Sequence, residues 1–557
     1  MANSNRNAAI WYADDGYDPD TKGLNGRRVA GASFLKGFFQ HADVDEFVSL
    51  TQGPKGKTTF AKRLSETGRT VPHRGTYVSA PLRMAPVGTL YFPAPNYAQE
   101  CWQRQRFGMG AYSICGITHT TATRAVMEGV ASLRTAPQAE WDAIICTSRA
   151  VQAATMRNME LADEHLEARF GTLPPRPQMP VIPLGIDCAA FAHDAKAADA
   201  LRTRMNWGPD DIVVATLSRL LPYGKFDPGP LFVALQQAQN QLTGQRLHFV
   251  ACGIYGDTHS SNTFQACAKA LMPDVSYTHL DGTDPIARSQ TLSGADIFTF
   301  PIDNIQETFG LAPIEAMAAG LPIVTSDWDG MRDTITPDVG IRVPTLGAGA
   351  RHTSPEAWRY FCGQQTYAQY SGNVSSMTVL DIPALTRAFV DLASNADLRR
   401  DMGQAAFRRA REVYDWAAVI PQMQDFWAEL TAIRTRLAGD TPLTGPVPQA
   451  PSPMDLFASY PSAQLTPGTG RFQLCDSPLD PRQIYTARRY TKLGQAFEKI
   501  ETIEAVYAEA SMSQSVRAAD VARTANLNPI TVERCFLWLV KYGLARHLPD
   551  KTDPAKD

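Results

Sequence analysis

Hydrophobic positions along this chain fall into short, nearly continuous apolar runs separated by stretches of helical composition. Ala8–Ala13 reads as a first strand, and Arg27–Gln40 as the helix that follows it after a polar loop. Ile114–Thr118, Trp141–Ser148 and Val181–Asp187 are further apolar runs, with Arg149–Phe170 helical between the last two. Beyond a crossing segment, Asp194–Met205, the alternation restarts with Asp211–Arg219, Leu247–Gly256, Val275–Asp281 and Ala295–Phe300. Runs of this kind suit strands buried on both faces of a parallel sheet. The pattern predicts an α/β protein.

The stretch from Ala295 to Ser326 carries the most chemistry. Pro301 ends its strand, and a polar loop leads to Glu307. Gly310 permits close backbone approach, Pro313 suits a first helical turn, and Ile314–Ala319 is a good helix that Gly320 can cap and Pro322 cannot continue. A helix start with unsatisfied N–H groups is a natural seat for a diphosphate. Glu307 and Glu315 stand on either side of it, and a carboxylate beside a phosphate is electrostatically wasteful unless it accepts hydrogen bonds from hydroxyls. The pair therefore points to a sugar nucleotide. Upstream, the strand Asp211–Arg219 ends on one cation and Lys225 supplies a second. Both can neutralise a diphosphate, the Arg as a fork and the Lys as a point charge.

The arrangement of Glu307, seven residues, Glu315, a small-residue helix and the turn Gly320-Leu321-Pro322-Ile323-Val324 resembles the signature of retaining glycosyltransferases of the double-Rossmann (GT-B) type, glycosyltransferase family 4. The resemblance covers roughly residues 8 to 435. It implies an α/β fold of two Rossmann-like domains facing a cleft, 1–190 on the acceptor side and 191–436 on the nucleotide-sugar donor side, the latter including return helices such as Leu392–Leu430. It implies transfer of a sugar from a nucleotide-diphosphate donor to an acceptor hydroxyl, the acceptor being a glycan or a glycolipid. By the same resemblance Glu307 contacts the donor sugar and Glu315 the ribose hydroxyls. Thr308, Phe309, Gly310 and Leu311 complete the donor-binding helix start, and a loop with Gly23 and Gly26 lies against the diphosphate and the acceptor. His119, expected at the carboxyl end of a strand, stands near the donor sugar, although Thr120 occupies the place of the family's common acidic follower. Arg219 and Lys225 match the family's cationic loop, with a spacing one residue wider than its commonest form. Gly253 and Tyr255 are placed near the nucleotide.

Two Asp-x-Asp pairs, Asp327-Trp328-Asp329 and Asp18-Pro19-Asp20, have the spacing of a hard-cation site. Their positions after a strand and within a loop read as turns, so no metal and no cofactor is expected. No lysine anchor for a pyridoxal cofactor is apparent, which argues against a phosphorylase-like enzyme. The nine cysteines of the 557 residues are scattered without a Cys-x-x-Cys pair, pointing to a reducing compartment rather than a disulfide framework. The polar N-terminus and the lack of any apolar run of about 18 residues predict a cytoplasmic protein. Peripheral contact with the inner face of a membrane stays open through Arg27, Arg28 and Lys36 interleaved with Phe34, Leu35, Phe38 and Phe39. A core face is the stronger reading of those aromatics.

Thr441–Pro481 holds nine prolines and little periodicity, so 437–481 reads as a linker, and 345–381 as an insertion on the second domain. Residues 482–557 have the helix, turn, helix, strand-start order of a winged-helix-like α+β module, with Arg517–Ala525 and Ile530–Tyr542 as its helices. Such modules often enter the major groove, yet 12 Lys and Arg against 9 Asp and Glu is a modest charge for that role. Self-association or a protein partner is favoured over nucleic acid. The competing reading for the whole chain is a sugar-nucleotide-sensing regulatory protein whose tail binds DNA or protein.

Overall fold

The structure, a computed structural model, describes residues 6–18, 26–439, 447–488 and 497–548, with Gly26 and Arg27 described by their backbone alone. The chain divides into two units, Met1–Gln449 and Ala450–Asp557.

Twelve strands of the first unit form two parallel sheets. The first contains β1 (Ala9–Tyr12), β2 (Phe47–Thr51), β3 (His73–Tyr77), β4 (Thr89–Phe92), β5 (Ser113–Ile117) and β6 (Ala143–Ile145) in the order β3-β2-β1-β4-β5-β6. The second contains β7 (Ile212–Leu220), β8 (Leu247–Tyr255), β9 (Ser276–Asp281), β10 (Ile297–Phe300), β11 (Ile323–Ser326) and β12 (Gly340–Val343) in the order β12-β11-β10-β7-β8-β9. Read from its β9 end, the second sheet repeats the order of the first. Both are doubly wound Rossmann-like sheets, and each switches direction beside its own first strand, where ligands of such folds bind. Strands β2, β5, β6 and β10 are buried at every position, as expected for strands covered on both faces. All nine cysteines are free.

One expectation changes here, and two others are met. Val181–Asp187 makes only isolated bridges, Cys146 with Val181 and Ile186 with Asp415, and its Pro183 lacks a donor that a full ladder needs. The aromatic face of the helix Gly26–His41 is core: Phe34, Leu35, Phe38 and Phe39 are at most 3% exposed. That face is spent on packing and has nothing to offer a membrane. The helix Trp416–Leu437 leaves the second half and completes the core of the first. Its Trp427 meets Phe38 edge-on at 5.8 Å and lies 6.1 Å from Tyr91, while Arg434 donates to Gly88 O and, at 2.8 Å, to Ser113 Oγ.

The insertion is a helical hairpin on a short antiparallel stalk, β13 (Thr345–Leu346) and β14 (Val379–Leu380), with helices Ala350–Phe361 and Tyr367–Ser375. Ser375 Oγ donates to the buried Asp303 carboxylate, anchoring the hairpin to the second half. At its far end Tyr360 Oη accepts from the Arg124 N–H of the first half at 2.9 Å.

The second unit has a three-stranded antiparallel sheet, β16 (Val516–Arg517), β15 (Arg471–Leu474) and β17 (Ala545–Leu548), covered by helices Ile500–Ala510, Ala518–Thr524 and Pro529–Lys541. The middle strand, β15, comes from the segment expected to be linker. Its Phe472 stacks on Phe536 at 4.3 Å and is wholly buried, so the unit's core begins before residue 482. Glu533 is 5% exposed and accepts from the Gly468 N–H at 2.8 Å.

Candidate active site

The loops after β7 and β10 meet those after β4 and β5 around a cavity of about 650 Å³ within the first unit. His119, Arg219, Lys225, Glu307, Thr308, Phe309, Gly310, Leu311 and Glu315 all line it. Gly26 opens its helix, and Gly23 falls outside the described residues. Of the two strand-end candidates, Gly253 lines the cavity and Tyr255 does not; the Tyr255 hydroxyl pairs with that of Tyr277 at 2.6 Å.

The helix Leu311–Ala318 begins on Gly310, whose φ of +79° falls in the left-handed region. A Cβ there would stand 2.3 Å from the Met331 methyl, so only glycine fits. Glu307 folds back over this start: its Oε1 accepts from Gly310 N at 3.2 Å and from Thr308 N at 3.4 Å, while Oε2 pairs with Lys225 Nζ at 2.5 Å. Burial alone would push the Glu307 carboxyl up. The Lys225 ammonium and the N–H groups of Thr308 and Phe309 outweigh burial and hold it below the usual carboxylate range.

Glu315 sits deeper, 7% exposed, with Arg288 Nη2 at 3.3 Å. Burial keeps its carboxyl above the ordinary value although Arg288 opposes the shift. Lys225 and Arg288 are thus both engaged with carboxylates. The Arg219 guanidinium has no hydrogen-bond or ion-pair partner among the described residues and faces the same cavity.

The first half closes the opposite wall. His119 lies just past the end of β5, where Thr118 N donates to Ile145 O at 2.9 Å. Its neighbour Thr120 donates through Oγ1 to Gln306 O at 3.3 Å, and Ser148 Oγ donates to Thr308 O at 2.9 Å. Both halves therefore hold the loop that carries Glu307.

Arg288 and Tyr367 are among the cavity residues that went unread in the sequence. Arg288 lies on a separate helix, Pro285–Gly294, with nothing local to mark it as the partner of Glu315. Tyr367 comes from the insertion and presents a hydroxyl that is buried without a hydrogen-bond partner among the described residues. Asp327 faces Arg342 at 3.2 Å, Asp18 faces Arg63 at 3.2 Å, and Pro19 and Asp20 lie outside the described residues. No cluster of three or more His, Cys, Asp or Glu side chains fit to hold a metal occurs among the described residues. None of their helices is long and apolar enough to cross a membrane.

Residues 200–346 match the family model for Glycosyl transferases group 1. That span runs through the second sheet and includes Arg219, Lys225, Arg288, Glu307 and Glu315. The chain is 27% identical over 203 residues to a D-inositol 3-phosphate glycosyltransferase of Segniliparus rotundus, covering 36% of this chain and 42% of that protein. It is 30% identical over 166 residues to a GDP-mannose-dependent alpha-(1-6)-phosphatidylinositol monomannoside mannosyltransferase of Mycobacterium tuberculosis, covering 29% and 41%. It thus spans about two fifths of the length of these curated relatives. Among solved structures, Anabaena Alr3699/HepE in complex with UDP aligns with a TM-score of 0.48 at 14% identity, over 76% of this chain and all of that one.

Proposed function

We propose that this chain is a retaining glycosyltransferase of GT-B architecture that moves a sugar from a nucleotide-diphosphate donor to a glycan or glycolipid hydroxyl without a metal ion. The observation that carries this reading is the convergence of an unpartnered Arg219, the Lys225–Glu307 pair and a glycine-initiated helix start on one cavity between two Rossmann-like sheets. In the transfer, the bond between the anomeric carbon and the diphosphate oxygen breaks. A bond to the acceptor oxygen forms on the same face, and the acceptor's proton passes to the departing diphosphate. Arg219 and the helix N–H groups stabilise the charge that develops on the leaving group. Lys225 has three donors, so it can serve Glu307 and a phosphate oxygen together. These cations supply the neutralisation a metal would otherwise provide. Glu307 and His119 position the sugar, and Glu315, above its ordinary pKa, meets the ribose hydroxyls.

The second unit we read as a winged-helix-like module for self-association or a protein partner. Its helix Pro529–Lys541 exposes Ile530 and Leu537, at 57% and 49%, beside Arg534, which pairs with Glu498 at 3.1 Å. An apolar, internally neutralised face suits protein contact better than phosphate. We place the protein in the cytoplasm on its composition.

The test is a panel of nucleotide sugars in EDTA that includes GDP-mannose and UDP-glucose, scored by thermal stabilisation and slow donor hydrolysis in wild type and Glu315→Ala. One donor that stabilises and is hydrolysed by wild type, and binds the variant weakly, supports the reading. If no donor binds, or if turnover returns only with a divalent cation, the metal-free transferase reading is lost.

A further inference from the structure

A second cavity, of about 570 Å³, adjoins the first, and Val126, Glu307 and Thr308 line both. Its chemistry differs sharply along its length. One wall is mainly apolar, with Met127 and Val130 on the helix Arg124–Leu133 and Val151, Ala154 and Leu161 on the helix Arg149–Phe170, which also contributes Thr155, Arg157 and Asn158. The other end is formed by the loop after β11, with Trp328 and Asp329.

That loop is held from both sides. Trp328 Nε1 donates to Asn304 O at 3.1 Å, and Gly330 packs so closely that a Cβ on it would lie 2.6 Å from Phe309 Cα. Asp329 between them takes a φ of +45°, a conformation that costs most side chains energy and that Asp tolerates better than most. So fixed, its Oδ2 is buried without a hydrogen-bond partner among the described residues. Burial, with the Glu307 charge adding to it, holds this carboxyl well above the usual range. A buried polar atom left unpaired calls for an explanation, and at the wall of a cavity a ligand group is one that fits.

We propose that this second cavity binds the acceptor, an amphipathic molecule whose hydroxylated head hydrogen-bonds Asp329 beside Glu307 and whose apolar tail lies along Met127, Val130, Ala154 and Leu161. The inference rests on the transferase reading and adds the acceptor's class and its place. Sharing Glu307 and Thr308, the two cavities bring a head group in one against the sugar end of a donor in the other. Asp329 is a positioning residue: the departing diphosphate still receives the proton.

The probe is n-octyl β-D-glucopyranoside below its micelle concentration, with the butyl glycoside for comparison, observed by saturation-transfer difference NMR on the full chain. Octyl protons should receive saturation from wild type more strongly than butyl protons. Ala154→Trp, an exposed helix position that tolerates a large side chain, should weaken octyl binding about tenfold by filling the aliphatic end. Asp329→Gly suits the positive φ and should weaken both glycosides about tenfold through loss of the head-group hydrogen bond. Wild-type donor hydrolysis is measured in parallel. If hydrolysis occurs but octyl contact is absent, or is as strong in Ala154→Trp as in wild type, the acceptor cavity is overturned and the transferase reading survives. If no nucleotide sugar is bound or hydrolysed, the transferase reading itself falls, and the acceptor assignment falls with it.

Discussion

The two sheets of the first unit share one strand order and differ in what they bring to their facing edges. The second carries Arg219, Lys225, Arg288, Glu307 and Glu315 into the cavity, whereas the first contributes His119, Thr120, Asn96 and the aliphatic Val126. The first half does not lack charges; it buries them elsewhere. Arg104 forms a two-pronged pair with Asp142, both fully buried, and Arg134 Nε meets Asp163 at 2.6 Å. Charge in one half builds scaffold, and in the other it faces a cavity. A diphosphate imposes charge on whatever binds it. An acceptor hydroxyl demands only shape and one or two hydrogen bonds, so the half that would receive it is free to vary.

The difference can be broken at four places, in falling order of effect. Arg104→Met strands the Asp142 carboxylate in the core and should cost about 3–5 kcal/mol of stability, read by urea unfolding, while donor hydrolysis per folded molecule is unchanged. Arg219→Ala should do the opposite, leaving the unfolding midpoint in place and lowering donor turnover about a hundredfold. Equal stability loss in both variants would erase the distinction between the halves.

The third place is a contrast in titration. Burial raises Glu100, in the first half, to about 7, while the Lys225 pair and helix N–H groups lower Glu307 despite its burial. A carboxyl whose folded pKa is raised is stabilising only while protonated, so Glu100 begins to cost stability above its unfolded value and the cost is complete once pH passes 7. Glu100→Gln should therefore gain about 2–3 kcal/mol at pH 8 and almost nothing at pH 4.5. Glu307 has the reverse sign, its contribution being present above the unfolded value and lost as pH falls through the lowered one. Melting curves of wild type and Glu100→Gln across this range would detect either error of sign. The smallest expected effect is Glu315→Ala, about a tenfold loss of nucleotide affinity with turnover at saturation retained, measured by titration calorimetry.

What sequence revealed follows the same division. That Glu307, Gly310, Glu315, Arg219 and Lys225 share one cavity was legible because a glycine-started helix and the charges at strand ends are marked by residue type, and the apolar runs of β7, β8 and β10 are long enough to stand out. In the first half β3 is His73–Tyr77, polar and edge-placed, and gives almost no periodic signal. Arg288 and Tyr367 reach the cavity through tertiary packing alone. β15 was hidden by the prolines around it, its pairing partners lying in β16 and β17, far along the chain. Asp329 was noticed only as half of a metal-like pair; that its backbone leaves one oxygen unpaired is a fact of three dimensions.

The helix Trp416–Leu437 has a consequence for how the protein is made. Phe38 and Tyr91 are synthesised early, yet the Trp427 they pack against emerges only after the whole second half has been translated. The first half therefore leaves the ribosome with an open seam, and the second half, complete in its own strands, is the first able to fold. Birth order and folding order run in opposite directions within this unit, and its last long helix closes the domain begun first.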